Sequence, residues 1–328
     1  MTSPTLLVTY DASAAARTII DRNLGDAARV IYLGDLDPGE RGAALANATA
    51  VLARNTDKEL RPGEAAMMTS AGLLQFVSAG VDFISMSAFP ESLPIAGNGG
   101  GYAEPMAEHA VMMALAAYKR LLIEHNKVAR REFDQFRPNR MLAGATVGIL
   151  GFGGIGRATA KLMRAFDTKI HAINRSGKTG EAVDWIGTDA QLGELLARSD
   201  ILVMSLPLTP ATEKLIGREQ LRLMKTDAVL INLARGEIID EAALFDHLQD
   251  HPDFTACIDA WWIEPVRHGH FDMEHDFTAL PNVIASPHNS ASVLGWRDVA
   301  LARAIENIRR ALMGQPPQFL VPPGDRMM

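Results

Sequence analysis

Cysteine is nearly absent from this sequence, which excludes a fold held together by disulfides. Cys257 is the only cysteine in 328 residues, so no intramolecular disulfide can form. It lies among apolar residues, a setting that predicts a buried and inert thiol rather than a nucleophile. Because this composition suits a reducing compartment, we expect a cytoplasmic location.

Long apolar runs and an excess of positive charge are missing too. The longest apolar run, near residues 110–117, is far shorter than the roughly 20 residues of a membrane-spanning helix. The first residues lack the basic and apolar segments of a secretion signal. A net charge of -7 disfavours binding to nucleic acid or to an anionic membrane. We therefore expect neither kind of partner.

What is present is an alternation of short apolar runs with helical or polar segments. Repeated βα units of this kind predict an α/β fold with parallel, doubly wound sheets. At 328 residues the chain exceeds the size of one hydrophobic core, so we expect two such domains. The runs are residues 6–9, 29–33, 50–53, 74–77, 83–86, 146–150, 169–173, 201–206, 228–232, 255–259 and 283–285.

The most informative motif is a glycine loop between a strand and a helix. A helical segment at residues 157–166 and a strand at residues 169–173 follow it and complete a βαβ unit. Gly151 permits a tight turn, Gly153 lets the backbone approach phosphates, and Gly156 lets the helix pack closely on the strand. The loop predicts a dinucleotide whose pyrophosphate lies at the helix N-terminus. Its residues are Gly151, Phe152, Gly153, Gly154, Ile155 and Gly156.

The residues after the second strand of this unit favour one cofactor over another. NAD sites usually carry an acidic residue here, which accepts hydrogen bonds from the ribose. Asn174 occupies that place instead, while Arg175, Ser176 and Lys178 are able to pair with a 2′-phosphate. A solvated turn is the alternative interpretation, and we predict NADP in preference to NAD.

Three segments predict how the domains are organised. Residues 97–101 have the most flexible composition in the chain and are expected to form a crossover and hinge. A helix over residues 296–313 is expected to return to the first domain, while the helix over residues 103–120 fits burial in its own subunit and subunit docking equally well. We predict a flavodoxin-like substrate domain at residues 1–100 and 290–328, with a Rossmann cofactor domain at residues 101–289 inserted into it.

Further clusters at predicted strand ends carry groups suited to catalysis. Arg235, followed by Gly236, leaves one strand, and a guanidinium there is able to grip a 2-oxo carboxylate through two hydrogen bonds. Glu264 and His288 follow later strands. A histidine gives a proton to a carbonyl as hydride arrives, and a carboxylate keeps the imidazole charged and oriented. Each cluster alone fits an ordinary exposed loop, but together they predict Arg235, Glu264 and His288 as catalytic residues.

Two histidine features are expected to be structural. Residues 268–276 contain the residue types of a metal site, but their spacing matches no standard site. A solvated loop is predicted there, and no metal is expected. His109 lies on an apolar helix face, where a structural role is expected rather than a catalytic one.

Taken together, these motifs strongly resemble the D-isomer-specific 2-hydroxyacid dehydrogenase family, and in particular its glyoxylate and hydroxypyruvate reductases. The similarity covers nearly the whole chain. The motifs that carry it are Ser78-Ala79-Gly80-Val81-Asp82, Ala107-Glu108-His109, Gly151 to Gly156, Leu206-Pro207-Leu208-Thr209-Pro210-Ala211-Thr212, Asn232 to Asp240, Asp259 to Pro265, and Pro287-His288.

The resemblance implies a role for each of these motifs. Arg235 anchors the substrate, and His288, partnered by Glu264, is the acid in reduction or the base in oxidation. Ser78, Ala79 and Gly80 bind the substrate carboxylate. Cofactor contacts are implied for Leu206, Pro207, Thr212, Ala234 and Asp259, the last at the nicotinamide end. The substrate is expected to be a small 2-oxo or 2-hydroxy acid, and the enzyme a homodimer that needs no metal.

The sequence also departs from the family. Residues 289–292 replace the glycine-rich run that commonly follows the catalytic histidine, which predicts a different local pocket shape. Two alternatives stay open at this point. One is a cofactor-sensing interaction protein resembling the corepressors of this family, and the other is a dehydrogenase of formate or phosphite, although the formate enzymes call for Gln at the position of Glu264.

Overall fold

Two parallel β-sheets organise the chain. The computed structural model describes residues 3–326, and they divide into two units. The first unit contains the residues up to Tyr102 and from Val293 onward, and the second contains Ala103–Ser292. The predicted fold class is thereby confirmed. Residues 1–2 and 327–328 of the predicted substrate domain lie outside the described residues.

The first unit has a five-stranded sheet in the order β2-β1-β3-β4-β5. Leu6 and Val8 of β1 pack with Ile20 of α1 and Ile305 of α11, whereas Leu7 packs on the opposite face. Burial on both faces explains why these strands are continuous apolar runs. The elements are β1 Thr5–Val8, α1 Ala14–Leu24, β2 Arg29–Tyr32, α2 Arg41–Asn47, β3 Ala50–Ala53, α3 Thr56–Glu59, β4 Leu74–Phe76, β5 Ile95–Ala96 and α11 Trp296–Leu312.

The second unit has a seven-stranded parallel sheet in the order β12-β11-β10-β9-β6-β7-β8. The strand order reverses between β6 and β9, the point at which open α/β sheets bind ligands. Its elements are α4 Ala103–Tyr118, α5 Leu121–Ala129, β6 Thr146–Leu150, α6 Gly154–Arg164, β7 Lys169–Ile173, β8 Trp185–Gly187, α7 Leu192–Arg198, β9 Ile201–Met204, α8 Arg218–Leu223, β10 Val229–Asn232, α9 Glu241–Asp250, β11 Thr255–Ile258, α10 Pro265–His268 and β12 Val283–Ala285.

One prediction for the first unit needs correction. Residues 83–86 are not a strand, because the backbone N–H and hydroxyl of Ser85 bind the Asp57 carboxylate instead of a neighbouring strand. The fifth strand is β5, which pairs with β4. Residues 97–101, the predicted crossover, are tied to the first unit, since the buried side-chain amide of Asn98 donates to the carbonyls of Val77 and Ala300. A hinge there stays a prediction.

Helix α4 and the single cysteine of the second unit are both largely buried. One face of α4, including Met106, Ala110 and Met113, is buried and packs against α6. Cys257 lies in β11 with no exposed surface, and burial raises the pKa of its thiol. Among residues 3–326, no helix is long and apolar enough to cross a membrane.

Buried His247 of α9 predicts a loss of stability in mild acid. Burial, followed by the nearby positive charge of His251, lowers the pKa of His247 from 6.5 to about 4. The unfolded chain therefore binds a proton between these pH values and the folded chain does not. We expect the unfolding free energy to fall as pH drops below 6.5, by about 2 kcal/mol at pH 5. Urea unfolding of the wild type and His247→Gln at pH 7.5 and pH 5 tests this, because the variant should lose this part of the pH dependence.

Candidate active site

The glycine loop connects β6 to α6 at the point where the strand order reverses. Gly151 has φ +97°, and a Cβ there would lie 2.7 Å from the backbone nitrogen of Leu206. A Cβ on Gly156 would lie 2.6 Å from the carbonyl oxygen of Gly151. A Cβ on Gly153 meets nothing within 4 Å. The fold itself thus requires Gly151 and Gly156, whereas Gly153 borders open space.

This loop fits a dinucleotide. The 11-residue helix α6 begins at Gly154, so its unpaired N–H groups and its positive dipole end lie directly beside the open space at Gly153. A side chain at residue 153 would fill the space that a pyrophosphate needs. Ser205 donates a hydrogen bond to the Gly151 carbonyl, and Thr212 donates one to the Pro207 carbonyl. The segment after β9 is thereby fixed next to the glycine loop. The predicted contacts Phe152, Gly154, Ile155, Leu206 and Ala234 adjoin this loop or the strand ends beside it.

The turn after β7 presents cations and no carboxylate. Asn174 accepts hydrogen bonds from the backbone N–H and hydroxyl of Ser176, and its amide donates to the Lys178 carbonyl. Asn174 therefore shapes the turn. Arg175, Ser176 and Lys178 are exposed on it.

His288 and Glu264 form a hydrogen-bonded pair after β12 and β11. The imidazole Nδ1 lies 2.7 Å from Oε2 and 2.9 Å from Oε1 of Glu264. The backbone N–H of Trp261 donates to the same carboxylate at 2.7 Å. Burial opposes ionisation of Glu264, but the hydrogen bonds from His288 and Trp261 and the charge of Arg235 outweigh it and lower its pKa. Glu264 is thus a carboxylate able to orient the imidazole and stabilise its charged form.

Arg235 completes this group from the end of β10. Asn232 ties the loop, because its amide donates to the Arg235 carbonyl and its oxygen accepts from the N–H of Ala234. The Arg235 charge acts on Glu264. Glu264 and His288 are thus in direct contact, and Arg235 is a half-buried cation near enough for its charge to lower the pKa of Glu264.

Asp259, which follows β11, is hydrogen-bonded to the loop that carries His288. Its side chain has no exposed surface, and its carboxylate accepts hydrogen bonds from the Ser286 hydroxyl and the backbone N–H groups of Asn289 and Ser290. Its carbonyl accepts from the N–H of His288. Asn289 and Ser290, the first residues of the segment that departs from the family pattern, are held in this way. Contact between Asp259 and a nicotinamide ring stays a prediction.

Ser286 and His109 also belong to this site, although the sequence predicts no role for Ser286 and only a structural one for His109. His109 of α4 places its Nε2 3.1 Å from the Ser286 hydroxyl and 3.8 Å from Asp259. The Ala107-Glu108-His109 motif was the only available signal, and it does not reveal a partner 177 residues away.

Other predicted residues lie elsewhere. Ser78, Ala79 and Gly80 follow β4 at the carboxyl edge of the first sheet, and the buried Ser78 hydroxyl has no partner within residues 3–326. The same described range contains no group of three side chains arranged to hold a metal ion, the loop at residues 268–276 included.

Comparisons with known proteins agree on one family. A family model described as the NAD-binding domain of D-isomer-specific 2-hydroxyacid dehydrogenases matches residues 111–290. A glycerate dehydrogenase of Methylorubrum extorquens is 32% identical over 216 residues, 64% of this chain and just under two thirds, 65%, of that relative. A glyoxylate reductase of Thermofilum pendens is 32% identical over 271 residues, 79% of this chain and 78% of the relative. The solved structure of a provisionally named formate dehydrogenase from Pyrobaculum aerophilum is similar with a TM-score of 0.80 at 25% identity, covering 98% of this chain and 100% of that one.

Proposed function

Because the chain belongs to the D-isomer-specific 2-hydroxyacid dehydrogenase family, we propose that it reduces a small 2-oxo acid such as glyoxylate or hydroxypyruvate, with NADPH preferred to NADH. The observation that carries this proposal is the convergence of Arg235, Glu264 and His288 in the unit that contains the glycine loop. Relatives named glycerate dehydrogenase and glyoxylate reductase support the substrate class. We include a cytoplasmic location in the proposal.

In this mechanism each residue of the group has one task. Arg235 holds the oxo acid and stabilises the negative charge that develops on the reacting oxygen. His288 donates its proton to that oxygen, and Glu264 stabilises the imidazolium before the transfer. Residues 151–156 and the turn at Asn174 would hold the reduced cofactor, which would supply the hydride. In oxidation of the 2-hydroxy acid, His288 accepts the proton instead.

Residues 78–80, after β4, are proposed to bind the substrate carboxylate. The backbone N–H groups of Ala79 and Gly80, with the hydroxyl of Ser78, would bind it. The unpartnered Ser78 hydroxyl supports this assignment, because buried polar atoms normally have a partner. On this proposal the first unit is the substrate domain and the second the cofactor domain.

A panel of 2-oxo acids assayed with NADPH and NADH in parallel tests the function. We expect turnover of glyoxylate or hydroxypyruvate, higher with NADPH. Formate and phosphite belong in the panel with oxidised cofactors, although the Glu264 carboxylate argues against a formate enzyme. Cofactor binding with no turnover of any acid would instead support a cofactor-sensing protein.

The exposed cations after β7 predict the cofactor preference. Arg175→Gln removes a charge that pairs with a 2′-phosphate, a contact that NADH lacks. We expect kcat/KM for NADPH to fall about tenfold or more, in line with the loss of 1.5–3 kcal/mol for a hydrogen bond to a charged group. The value for NADH should stay within about twofold. An equal loss with both cofactors would contradict the assignment, and Arg222→Gln on α8 serves as the control for loss of a surface charge.

We also propose a homodimer, which exposed apolar side chains in the segment after α4 support. Leu121 and Val128 of α5 are 57% and 60% exposed, and Phe133 and Phe136 of the following segment are 81% and 84% exposed. Aromatic side chains this exposed are typical of surfaces that bind another protein. We expect light scattering to give twice the chain mass for the wild type, and the chain mass for Phe133→Ser with Phe136→Ser. The control Leu294→Ser removes a fully exposed apolar side chain from the first unit and should leave the dimer intact.

A further inference from the structure

His109 stands at one end of a hydrogen-bond series that leads to the loop of His288. The Ser286 hydroxyl lies 2.6 Å from Oδ1 of Asp259. Because an ionised carboxylate only accepts hydrogen bonds, the Ser286 proton points to Asp259. The lone pairs of Ser286 are then left to accept a hydrogen bond from Nε2 of His109, at 3.1 Å. Burial lowers the pKa of His109 although Asp259 acts in the opposite direction, which fits a neutral ring with its proton on Nε2.

The other end of the series is the backbone around His288. Asp259 accepts from the N–H of Asn289 at 3.1 Å and of Ser290 at 3.3 Å, and its carbonyl accepts from the N–H of His288 at 2.9 Å. Residue 288 has φ +48°, a left-handed conformation that a non-glycine residue adopts only at a cost. The hydrogen bonds to Asp259 offset this cost, so the direction in which the His288 ring leaves the backbone depends on them.

We propose that His109 and Ser286 are positioning residues for the reaction, which act through Asp259 to hold His288 in its productive conformation. The inference rests on the proposed function, because it assigns the proton transfer to His288. A histidine that merely fills space differs from His109. The buried Nε2 of His247, in the same unit, has no partner among residues 3–326, whereas Nε2 of His109 lies beside the hydroxyl that donates to the Asp259 carboxylate.

A pair of substitutions at one position separates positioning from packing. His109→Leu removes the donor, and His109→Gln keeps an N–H donor at similar reach. We expect kcat for glyoxylate to fall about tenfold in the leucine variant, the effect of one hydrogen bond in a buried polar group. The glutamine variant should recover most of it. Binding of NADPH, measured by fluorescence titration, and the melting temperature should stay near wild type in both. Equal activities of the leucine variant and wild type, or a loss that glutamine does not rescue, would overturn the proposal.

Ser286→Ala tests the same series at its middle and does not depend on how well the residue 109 variants fold. We expect a similar fall in kcat, and no further fall when His109→Leu is added, because both changes break one connected network. Independent, multiplying losses would contradict it.

A chemical readout keeps this test independent of turnover. Diethyl pyrocarbonate modifies histidines, and peptide mass spectrometry gives the rate at His288, with exposed His270 as the internal reference. We expect the His288 rate to rise in His109→Leu and Ser286→Ala and to return in His109→Gln. If the wild type turned over no 2-oxo acid but these rates changed as expected, the proposed function would fail and the positioning would stand. Unchanged rates together with unchanged kcat would reject the positioning alone.

Discussion

Replacing His288 with glutamine is expected to lower kcat for 2-oxo acid reduction about a thousandfold, the scale of a positioned general acid. Glutamine keeps much of the size of the ring and is able to donate a hydrogen bond to Glu264, but it has no proton to give to the forming alkoxide. The dissociation constant of NADPH should change little, because the proposed cofactor contacts lie along the glycine loop and the turn after β7.

Steady-state kinetics and cofactor titration of His288→Gln measure both effects. His270→Gln, in an exposed loop, is the matched control and should keep wild-type turnover. A His288→Gln enzyme with more than about a tenth of wild-type kcat would remove His288 as the acid, since general acid catalysis contributes at least about a hundredfold.

The second large effect is expected for Gly236→Ala. A Cβ on Gly236 would overlap the carbonyl carbon of Trp261 and the backbone nitrogen of Trp262. Backbone atoms cannot turn aside as a flexible side chain does, so one of the two loops must move. One loop carries Arg235, and the N–H of Trp261 in the other binds Glu264. We expect kcat/KM to fall at least about a hundredfold, because a misplacement of about 1 Å costs that much.

The same substitution should lower the unfolding free energy by about 1–3 kcal/mol, the usual effect of overpacking. Gly180→Ala is the control, because a Cβ there meets no atom within 4 Å. Activity and denaturant unfolding of both variants distinguish the cases. A Gly236→Ala enzyme as active as Gly180→Ala would show that the two loops are not in the close contact described.

The position of the candidate catalytic residues could be predicted because each of them follows an apolar run with the pattern of a buried strand. In a parallel sheet the carboxyl ends of neighbouring strands meet, so Arg235, Glu264 and His288 were expected at one edge from sequence order alone, and the structure brings them together. Residues 83–86 have the composition of a strand, yet Ser85 is hydrogen-bonded to Asp57 and the segment joins no sheet. Ile95–Ala96 forms the fifth strand instead. No local pattern distinguishes these cases.

The hydrogen bond between His109 and Ser286 could not be predicted from the sequence, for a different reason. This hydrogen bond joins a helix to a strand end far along the chain. Its role in the site depends on which atom donates and which accepts. Sequence patterns report the face of a helix, and His109 lies on a largely apolar one. They do not report the single polar contact made through that face.

The buried thiol of Cys257 has a practical consequence for labelling. Alkylating reagents attack the thiolate, and this sulfur has both a raised pKa and no accessible surface. Maleimides should therefore leave the native fold unmodified, so a cysteine introduced on the surface would be the sole conjugation point. Fluorophores attached at two such positions, one in each unit, would report on domain movement without first removing any natural residue.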